Sequence, residues 1–221
     1  GFTLIKLKCG GSKEDDRRRL KLARDAIGPD IRLAIDANQV WDVPEAIEWI
    51  NSLGDVNLHW VEEPTNPDDV VGHAAIAKAI APVRVATGEH VANRIIFKQM
   101  LQSKSLSFVQ IDASRVAGIN ENIAIILMAA KFGIPVCPHA GGVGLCEMVQ
   151  HLAMFDYVAV SGEHPDRVVE FVDHLHEHFV VPTDIRRARY MPPSKAGAGA
   201  EMFAQSVSDF TFPTGKQWLN N

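Results

Sequence analysis

The chain contains 221 residues, of which 47% are hydrophobic and 22% are charged, and its net charge is −5. These proportions are typical of a folded globular protein and exclude extended disorder, and the acidic balance gives no indication of a nucleic-acid-binding surface. The longest uninterrupted apolar run, 123–130, has eight residues, whereas a helix needs roughly twenty to cross a membrane. We therefore expect a protein that binds neither nucleic acid nor a membrane.

The length suits one large α/β domain, because barrels of this class reach about 250 residues. Three cysteines, Cys9, Cys137 and Cys146, have no paired spacing, which favours a reducing, cytoplasmic location. The chain begins at Gly1 without an initiator methionine or a signal peptide. We expect it to be part of a longer protein.

Strand-like and helix-like segments alternate along the chain. The predicted strands are 2–8, 31–35, 58–61, 83–86, 106–111 and 134–137. The predicted helices are 15–27, 43–53, 67–80, 94–101, 119–132 and 145–155. Repeated strand–helix units of this kind predict a parallel sheet with helices packed against it.

The pattern weakens after residue 155. Residues 157–161 are interpreted as a short strand, and 168–175 form a further apolar stretch that contains Glu170. From about residue 183 the composition shifts to Arg, Pro, Gly and Ala, which is typical of an irregular segment. We therefore divide the chain into a barrel domain at 1–182 and a tail at 183–221 that wraps the surface.

A polar residue stands at or just after the end of each strand, and these residues recur at intervals of 23 to 31 positions. They are Lys8, Asp36, Glu62, Glu89, Asp112, His139 and Glu170. One strand-plus-helix unit takes about 30 residues, so each unit places one polar group at the carboxyl end of its strand. Those ends meet at one mouth in a closed barrel, whereas an open doubly wound sheet brings only one or two of them together. The series favours a TIM-like barrel.

Three successive members of this series, Asp36, Glu62 and Glu89, are carboxylates. Carboxylates that are brought together repel one another unless a cation neutralises them. An all-oxygen ligand set selects a hard ion, and Mg²⁺ suits carboxylates combined with water and substrate oxygens. The alternative is that each acid caps the following helix or lies in solvent. Three acids in consecutive units favour the Mg²⁺ site.

Candidate bases lie on both sides of these carboxylates. Lys6 and Lys8 alternate on one strand and share a face. Repulsion between two close ammonium groups lowers the pKa of one of them, so we expect Lys8, nearest the strand end, to act as a general base. The alternative is that both lysines line a solvated edge strand. On the other side, Asp112 and His139 end neighbouring strands, where the carboxylate would fix the imidazole tautomer and raise its basicity.

Several short motifs resemble those of the enolase superfamily, in its mandelate racemase branch. These motifs are Lys6-Leu7-Lys8, Asp36-Ala37-Asn38, Trp60-Val61-Glu62-Glu63-Pro64, Gly88-Glu89, Gln110-Ile111-Asp112 and Cys137-Pro138-His139-Ala140. The longer segments 36–41, 139–147 and 170–179 are similar to those of L-fuconate dehydratases. The resemblance runs from residue 1 to about residue 193.

The resemblance implies a (β/α)₇β barrel whose first strand is lacking here. It also implies an N-terminal α+β capping domain that would precede this chain. The tail would wrap either the surface of the barrel or this capping domain. The resemblance further implies Mg²⁺ bound by the three carboxylates, with Lys8 as the base on one face of the substrate. The pair of His139 and Asp112 would serve as acid and base on the other face. Self-association is also expected, because a missing strand exposes a sheet edge.

The same resemblance gives a role to Glu170. It would donate a hydrogen bond to the enolate oxygen of the substrate, which requires a carboxylic acid that is kept neutral. Lys6 is expected to contact the substrate. Asn38, Gln39 and Trp41 follow the strand that ends in Asp36, so they are interpreted as substrate contacts or as supports of the metal ligands, and packing of the loop is the alternative for Trp41.

The activity that the resemblance implies is the dehydration of a sugar acid such as L-fuconate. A base removes the C2 proton, Mg²⁺ stabilises the enediolate, and the C3 hydroxyl leaves, which gives a 2-keto-3-deoxy acid. A racemase, or a dehydratase of another sugar acid, would use the same residues. A non-catalytic barrel fragment is an alternative of a different class.

Three other features are interpreted without a catalytic role. The segment Gly141–Gly144 lacks the third glycine of a dinucleotide-binding loop and is interpreted as a loop at the mouth. A nucleophilic role for Cys137 is disfavoured, because the sequence gives it no base of its own. A surface cluster, and not a transition-metal site, is expected for His174, His176 and His178.

Overall fold

Five parallel strands form the centre of the fold in the computed structural model, which describes residues 1–219. They are β1 (Leu4–Lys8), β2 (Arg32–Asp36), β3 (Leu58–Glu62), β4 (Arg84–Thr87) and β5 (Phe108–Val109). The strands lie in sequence order, and each pairs in parallel with the next. The predicted parallel α/β sheet is confirmed, although β5 is shorter than predicted.

Helices connect the strands and continue beyond them. They are α1 (Lys13–Ile27), α2 (Val43–Ser52), α3 (Val70–Ala79), α4 (Arg94–Ser103), α5 (Ile119–Lys131) and α6 (Leu145–Asp156). The first four begin at side chains that accept hydrogen bonds from first-turn N–H groups, namely Ser12, Asp42, Asp69 and Asn93. Within residues 1–219 no helix is long and apolar enough to cross a membrane.

Beyond β5 the sheet continues through single bridges. Val109 pairs with Val136 and Asp112 with His139, both in parallel, and the N–H of Cys137 donates to the Val109 carbonyl at 2.8 Å. The segment predicted as a strand at 134–137 is therefore in register but forms no continuous ladder.

The predicted strand at 157–161 is wrong. Tyr157–Ser161 is a π-helical turn that continues α6. Its apolar residues follow the helix without a glycine or proline to end it until Gly162, so the backbone stays helical.

Strands β2–β5 are largely buried on both faces, as expected for a parallel sheet that helices cover, whereas β1 is only partly buried. One face packs against the helices and includes Leu33, Ile35 and Val61, all fully buried. The inner face carries Ala34, Trp60, Ala86, Phe108 and Cys137. Because side chains alternate between faces along a strand, Asp36 and Glu62 share the inner face with the residues two positions before them. The inner face of the sheet therefore ends in acids at its carboxyl-end mouth.

The two edges of this barrel-like sheet meet at the mouth through side chains. Within the described residues β1 pairs only with β2, and no strand pairing closes the ring. Glu170, in the irregular segment 168–175, nevertheless reaches both edges. Its carboxylate lies 2.8 Å from Lys6 Nζ of β1 and accepts a hydrogen bond of 2.6 Å from the N–H of Ala140.

The segment predicted as a tail contains regular structure. It forms an antiparallel hairpin, β6 (Ile185–Arg186) and β7 (Arg189–Tyr190), and a short helix, α7 (Ala204–Phe210). The N–H of Thr183 donates to the Glu147 carboxylate at 3.2 Å, which attaches the start of the tail to α6. Residues 220 and 221 of the predicted tail lie outside the described part of the chain.

A charged cluster lies at the opposite, amino-terminal end of β2–β4. Arg84 donates to the ring of His59, with 2.7 Å between Nη2 and Nε2, and to Asp166 at 2.8 Å. Burial, together with the charges of Arg84 and Arg32, lowers the pKa of His59 to about 4. A neutral imidazole can accept the hydrogen bond of Arg84, whereas an imidazolium has no lone pair to offer.

We expect His59 to make the folded chain less stable as the pH falls from 6.5 to about 4. In this window the unfolded chain binds a proton at His59 and the folded chain does not, so added protons favour unfolding. In the variant His59→Asn, the free energy of unfolding measured with urea should fall less over this pH range. The difference should be about 1 kcal/mol after allowance for the half-exposed ring. Identical pH profiles for the variant and the unsubstituted chain would refute the assignment.

Candidate active site

The register of the first three strands places one lysine and two carboxylates side by side. Lys8 pairs with Asp36 across β1 and β2, and Asp36 pairs with Glu62 across β2 and β3. All three stand at the carboxyl ends of their strands. Parallel pairing without a shift at this end therefore brings the predicted residues together at the mouth.

Glu89 reaches the same mouth because Gly88 allows the chain to turn beyond β4. Gly88 has a φ of +143°, a conformation that is readily available only to glycine. A Cβ atom at this position would lie 2.6 Å from the carbonyl oxygen of Gln110 and 2.8 Å from the ring of Phe97. A glycine directly before Glu89 is thus a requirement of the fold.

The carboxylates of Asp36, Glu62 and Glu89 form one buried cluster. One oxygen atom from each lies within 4.8 Å of the others, and all three residues are buried. The alternative in which they cap helices is wrong. The residues that cap α2, α3 and α4 are Asp42, Asp69 and Asn93.

The donor set of this cluster fits Mg²⁺. It offers carboxylate oxygens only, which hard divalent cations prefer. Burial, together with the neighbouring Asp36 and Glu170, raises the pKa of Glu62 to about 7 in spite of Lys6. Both burial and neighbouring acids disfavour the charged form of Glu62, and a divalent cation among the carboxylates would favour it.

Lys6 supplies the positive charge inside the cluster. Its Nζ donates to Glu62 and lies 2.8 Å from Glu170 Oε1 and 3.5 Å from Asp36 Oδ2. Burial lowers the pKa of Lys6, but the surrounding carboxylates, led by Glu62, outweigh it and raise the pKa above the ordinary lysine value. The expected repulsion between the two lysines therefore does not control the ionisation of Lys6.

Lys8 lies at the outer side of the cluster. Its Nζ is 2.5 Å from Asp36 Oδ2 and 2.6 Å from Asn38 Oδ1, and its side chain is 65% exposed. Asp36 stays ionised between the lysines: burial would raise its pKa, but Lys6 and Lys8 lower it. Each lysine therefore pairs with at least one carboxylate at the mouth.

His139 and Asp112 form the expected pair. His139 Nδ1 lies 2.8 Å from Asp112 Oδ2, and Ser114 donates to the other carboxylate oxygen through its N–H and hydroxyl, each at 2.7 Å. Burial alone would lower the pKa of His139, but Asp112, Glu170 and Glu89 raise it. The free Nε2 faces Glu89 at 3.3 Å, so the ring stands between its orienting acid and the carboxylate cluster.

Asp112 is held in its ionised form. Burial would raise its pKa, but hydrogen bonds from His139 and Ser114 lower the pKa to about 2. An ionised carboxylate on Nδ1 keeps the proton of the ring on that nitrogen and leaves Nε2 to exchange protons with a ligand.

Glu170 differs from its expected state. Burial would raise its pKa, but Lys6, the N–H of Ala140 and His139 together lower it. The resemblance predicted a neutral acid at this position, and the structure favours the carboxylate, because two donors and a nearby imidazole stabilise the charge.

Gln110 is a site residue to which the sequence reasoning gave no role. Its side chain is buried, and its Nε2 donates to Glu62 Oε2 at 2.6 Å, while its Oε1 has no hydrogen-bond partner. Its place two residues before Asp112, on the same face of an extended segment, was the available signal. Gln110 fixes the orientation of one carboxylate of the cluster.

Two predicted substrate contacts have different outcomes. Asn38 accepts a hydrogen bond from Lys8 at the mouth, where a ligand could reach it. Trp41 is only 3% exposed and packs its ring 4.9 Å from that of Trp49, in the core between the sheet and its helices. The structure favours the alternative for Trp41, packing of the loop, because Trp49 of α2 covers its ring.

The remaining features have structural explanations. A Cβ at Gly141 would lie 2.7 Å from His139 Nε2, so the glycine segment makes room for the imidazole. Burial raises the pKa of the Cys137 thiol, which opposes a nucleophilic role. His176 pairs with Glu147 at 2.6 Å and His178 with Ser206 at 3.0 Å. Within residues 1–219, these histidines belong to neither of the potential metal-binding groups.

Comparison with known proteins identifies relatives for nearly the whole chain. Residues 1–206 match the family described as enolase C-terminal domain-like. The crystal structure of human mitochondrial enolase superfamily member 1 superposes with a TM-score of 0.97 at 54% identity, over 100% of this chain and 50% of that one. L-galactonate dehydratase of Hypocrea jecorina is 48% identical over 96% of this chain and 48% of its own length.

A ligand-bound structure is also similar. L-talarate dehydratase from Polaromonas sp. JS666, complexed with Mg and L-glucarate, has a TM-score of 0.78 at 30% identity, over 93% of this chain and 52% of that one. The chain spans about half the length of the curated relatives it matches. These relatives support the broad resemblance to sugar-acid dehydratases and do not single out L-fuconate.

Substitution of the two lysines should separate the buried charge from the exposed one. Lys6→Met should destabilise the metal-free chain by about 3 kcal/mol or more, because it leaves buried carboxylates without a cation. Lys8→Met should cost about 1 kcal/mol or less, because its ammonium is largely solvated. Urea unfolding in EDTA at neutral pH measures both, and equal losses would show that Lys6 does not stabilise the cluster.

Proposed function

The chain belongs to the enolase C-terminal domain-like family of the enolase superfamily, and from that premise we propose that it is the catalytic part of a Mg²⁺-dependent sugar-acid dehydratase. The buried cluster of Asp36, Glu62 and Glu89 is the observation that carries the proposal. A lysine on one side and an Asp–His pair on the other flank it. Such a site can withdraw a proton next to a carboxylate and protonate a leaving hydroxyl.

The substrate class is a six-carbon sugar acid with hydroxyl groups at C2 and C3. L-galactonate is the first choice, because an L-galactonate dehydratase is 48% identical to this chain. L-fuconate has the same configuration and lacks only the C6 hydroxyl of L-galactonate. The two acids therefore present the same reacting atoms to the cluster.

Asp36, Glu62 and Glu89 would hold Mg²⁺, which would supply positive charge for binding the substrate carboxylate and for stabilising the negative charge that develops during proton abstraction. Gln110 orients Glu62 for this task through the hydrogen bond of 2.6 Å. Lys6, which lies among the same carboxylates, adds a donor for the substrate oxygens.

Lys8, as the neutral amine, takes the C2 proton and becomes an ammonium group. It stands at the open side of the cluster, hydrogen-bonded to Asp36 and Asn38, and so next to a substrate whose carboxylate is bound there. Abstraction leaves the electron pair on C2 shared with the carboxylate oxygens, which is why the positive charge beside them lowers the barrier.

His139 gives the proton that the departing hydroxyl needs. The C3–O bond breaks as the electron pair from C2 forms the C2–C3 double bond, and the oxygen leaves as water with the proton from Nε2. Asp112 holds the resulting ring in position. The enol then loses the proton of its C2 hydroxyl and takes up a proton at C3, which gives the 2-keto-3-deoxy acid, so that over the whole reaction one water is lost and the net charge is unchanged.

We assign Glu170 as the partner that positions Lys6 and accepts hydrogen bonds from substrate hydroxyls. The lowered pKa and the ion pair of 2.8 Å with Lys6 support a carboxylate in this role. If Glu170 acted as a proton donor, its carboxylate would first have to lose the ion pair with Lys6 and the hydrogen bond from the N–H of Ala140.

Removal of a single cluster carboxylate should abolish tight Mg²⁺ binding. Asp36→Asn, Glu62→Gln and Glu89→Gln should each weaken affinity at least tenfold, about 1.4 kcal/mol, by calorimetry, while the fold persists because repulsion within the cluster declines. Glu121→Gln is the matched control, because Glu121 is a buried acid that pairs with Arg94 outside the site. Unchanged affinity in all three cluster variants would exclude the site.

The function itself is tested in the full-length chain with Mg²⁺ and L-galactonate in deuterated water. We expect release of a 2-keto-3-deoxy acid. Lys8→Ala should block both product formation and loss of the C2 proton, because the other lysine of β1, Lys6, is paired with Glu62 and Glu170. Substrate should still bind at the carboxylate cluster. Lys98→Ala, at an exposed position of α4, should behave like the unsubstituted chain.

Other outcomes of this assay identify the alternatives. Recovery of the starting acid inverted at C2 would indicate a racemase. Turnover of L-fuconate at least as fast as that of L-galactonate would mean that the C6 hydroxyl is not recognised. Absence of turnover with either acid, in a chain that binds Mg²⁺, would overturn the proposed substrate class.

A further inference from the structure

Three polar side chains lie in contact just outside the carboxylate cluster: Gln39, Glu63 and His90. His90 Nδ1 is 2.6 Å from Glu63 Oε1, and Gln39 Nε2 is 2.7 Å from the same ring nitrogen. The Gln39 amide also lies 3.3 and 3.4 Å from the two Glu63 oxygens. Glu63 is completely buried, so these two residues supply the hydrogen bonds that its carboxylate needs.

Each member of this group follows one residue of the cluster. Gln39 stands three positions after Asp36, Glu63 directly after Glu62, and His90 directly after Glu89. One hydrogen-bonded contact therefore joins the three loops that carry the three carboxylates. The proposed dehydration gives no role to any of these three side chains.

The backbone at the same place is strained and needs support. Asn38, Gln39 and Glu63 have positive φ angles of 43°, 66° and 44°, which are uncommon for residues other than glycine. The N–H of Gln39 donates to the carbonyl of Glu63 at 2.8 Å. The N–H of Glu63 in turn donates to the carbonyl of Ala86 at 3.0 Å. Strain of this kind persists only where surrounding contacts hold it, as they do at functional sites.

We propose that Gln39, Glu63 and His90 form a brace that fixes the positions of Asp36, Glu62 and Glu89, and that they are positioning residues for the metal. The inference rests on the proposed function, since it assumes that the cluster binds Mg²⁺. Groups that orient metal ligands commonly change metal affinity 10- to 100-fold when they are removed.

A second cation site is the competing explanation. Oxygen or nitrogen atoms of Glu63, Glu89 and His90 also lie within 4.8 Å of one another. Both oxygens of Glu63, however, already face hydrogen-bond donors from Gln39 and His90. A cation here would have to displace those donors, and the brace requires no such change.

The test compares Mg²⁺ affinity, by calorimetry in the full-length chain, across variants of the brace. His90→Leu and Gln39→Met should each weaken Mg²⁺ binding about tenfold, and the double variant should be little worse than either, because the residues act as a unit. His90→Asn should keep affinity within about threefold, because its amide nitrogen can take the place of Nδ1. Activity of the two single variants should recover at saturating Mg²⁺.

Ser105→Ala is the matched control. Ser105 is buried and donates to the Val70 carbonyl at 2.8 Å, away from the cluster, so its loss should lower stability without changing Mg²⁺ affinity. Brace variants that lose stability in the same way, with Mg²⁺ affinity unchanged, would show a merely structural role and overturn the inference.

Two further results would also overturn it, and they can be told apart. A second equivalent of Mg²⁺ or Mn²⁺ that disappears with His90→Leu would establish a cation site in place of a brace. No Mg²⁺ binding by the unsubstituted chain would remove the proposed function and the brace together. Unchanged affinity in brace variants, beside loss of binding in Glu89→Gln, would remove the brace alone.

Discussion

Mutual repulsion of buried carboxylates is the constraint on which the mouth of this fold depends. One carboxylate oxygen of each of Asp36, Glu62 and Glu89 lies within 4.8 Å of the others, and all three residues are buried. A fourth acid, Glu170, lies 2.8 Å from the ammonium group of Lys6. Such a cluster is stable only with a compensating cation. Lys6 among the carboxylates and Lys8 beside Asp36 meet that need in part, while burial and the neighbouring acids still raise the pKa of Glu62. The fold therefore presents a site that is ready for a divalent cation.

The same constraint connects the sheet to the chemistry. A parallel sheet brings all strand ends to one side, and alternation along each strand places a core residue and then an acid on the inner face, as in Ala34 and Asp36. The apolar side chain holds the strand in the sheet, and the acid two positions later reaches the mouth. Stability and reactivity thus occupy alternate positions on one face of the strand, and a one-residue shift in register would turn both side chains to the opposite face.

The sequence predicts most of this arrangement because period and spacing are local properties. Strand ends and the pairing of His139 with Asp112 follow from a repeated unit. What it did not predict depends on tertiary packing. Trp41 lies in the loop after a predicted ligand, yet packing on Trp49 buries it. The ionisation of Lys6 and Glu170 is set by the distance between β1 and the irregular segment 168–175, which no spacing reveals.

Glu170 shows how far the site extends beyond the repeating pattern. It lies in an irregular segment, and the tail fixes it from outside: the hydroxyl of Tyr190 donates to its carbonyl oxygen. The next residue, Phe171, stacks on His176 at 5.5 Å and on Phe2 at 6.0 Å. An acid without a strand ladder of its own is thereby held between the first strand and the C-terminal hairpin. The tail therefore helps to position Lys6, because the ammonium group of Lys6 pairs with Glu170 as well as with Glu62.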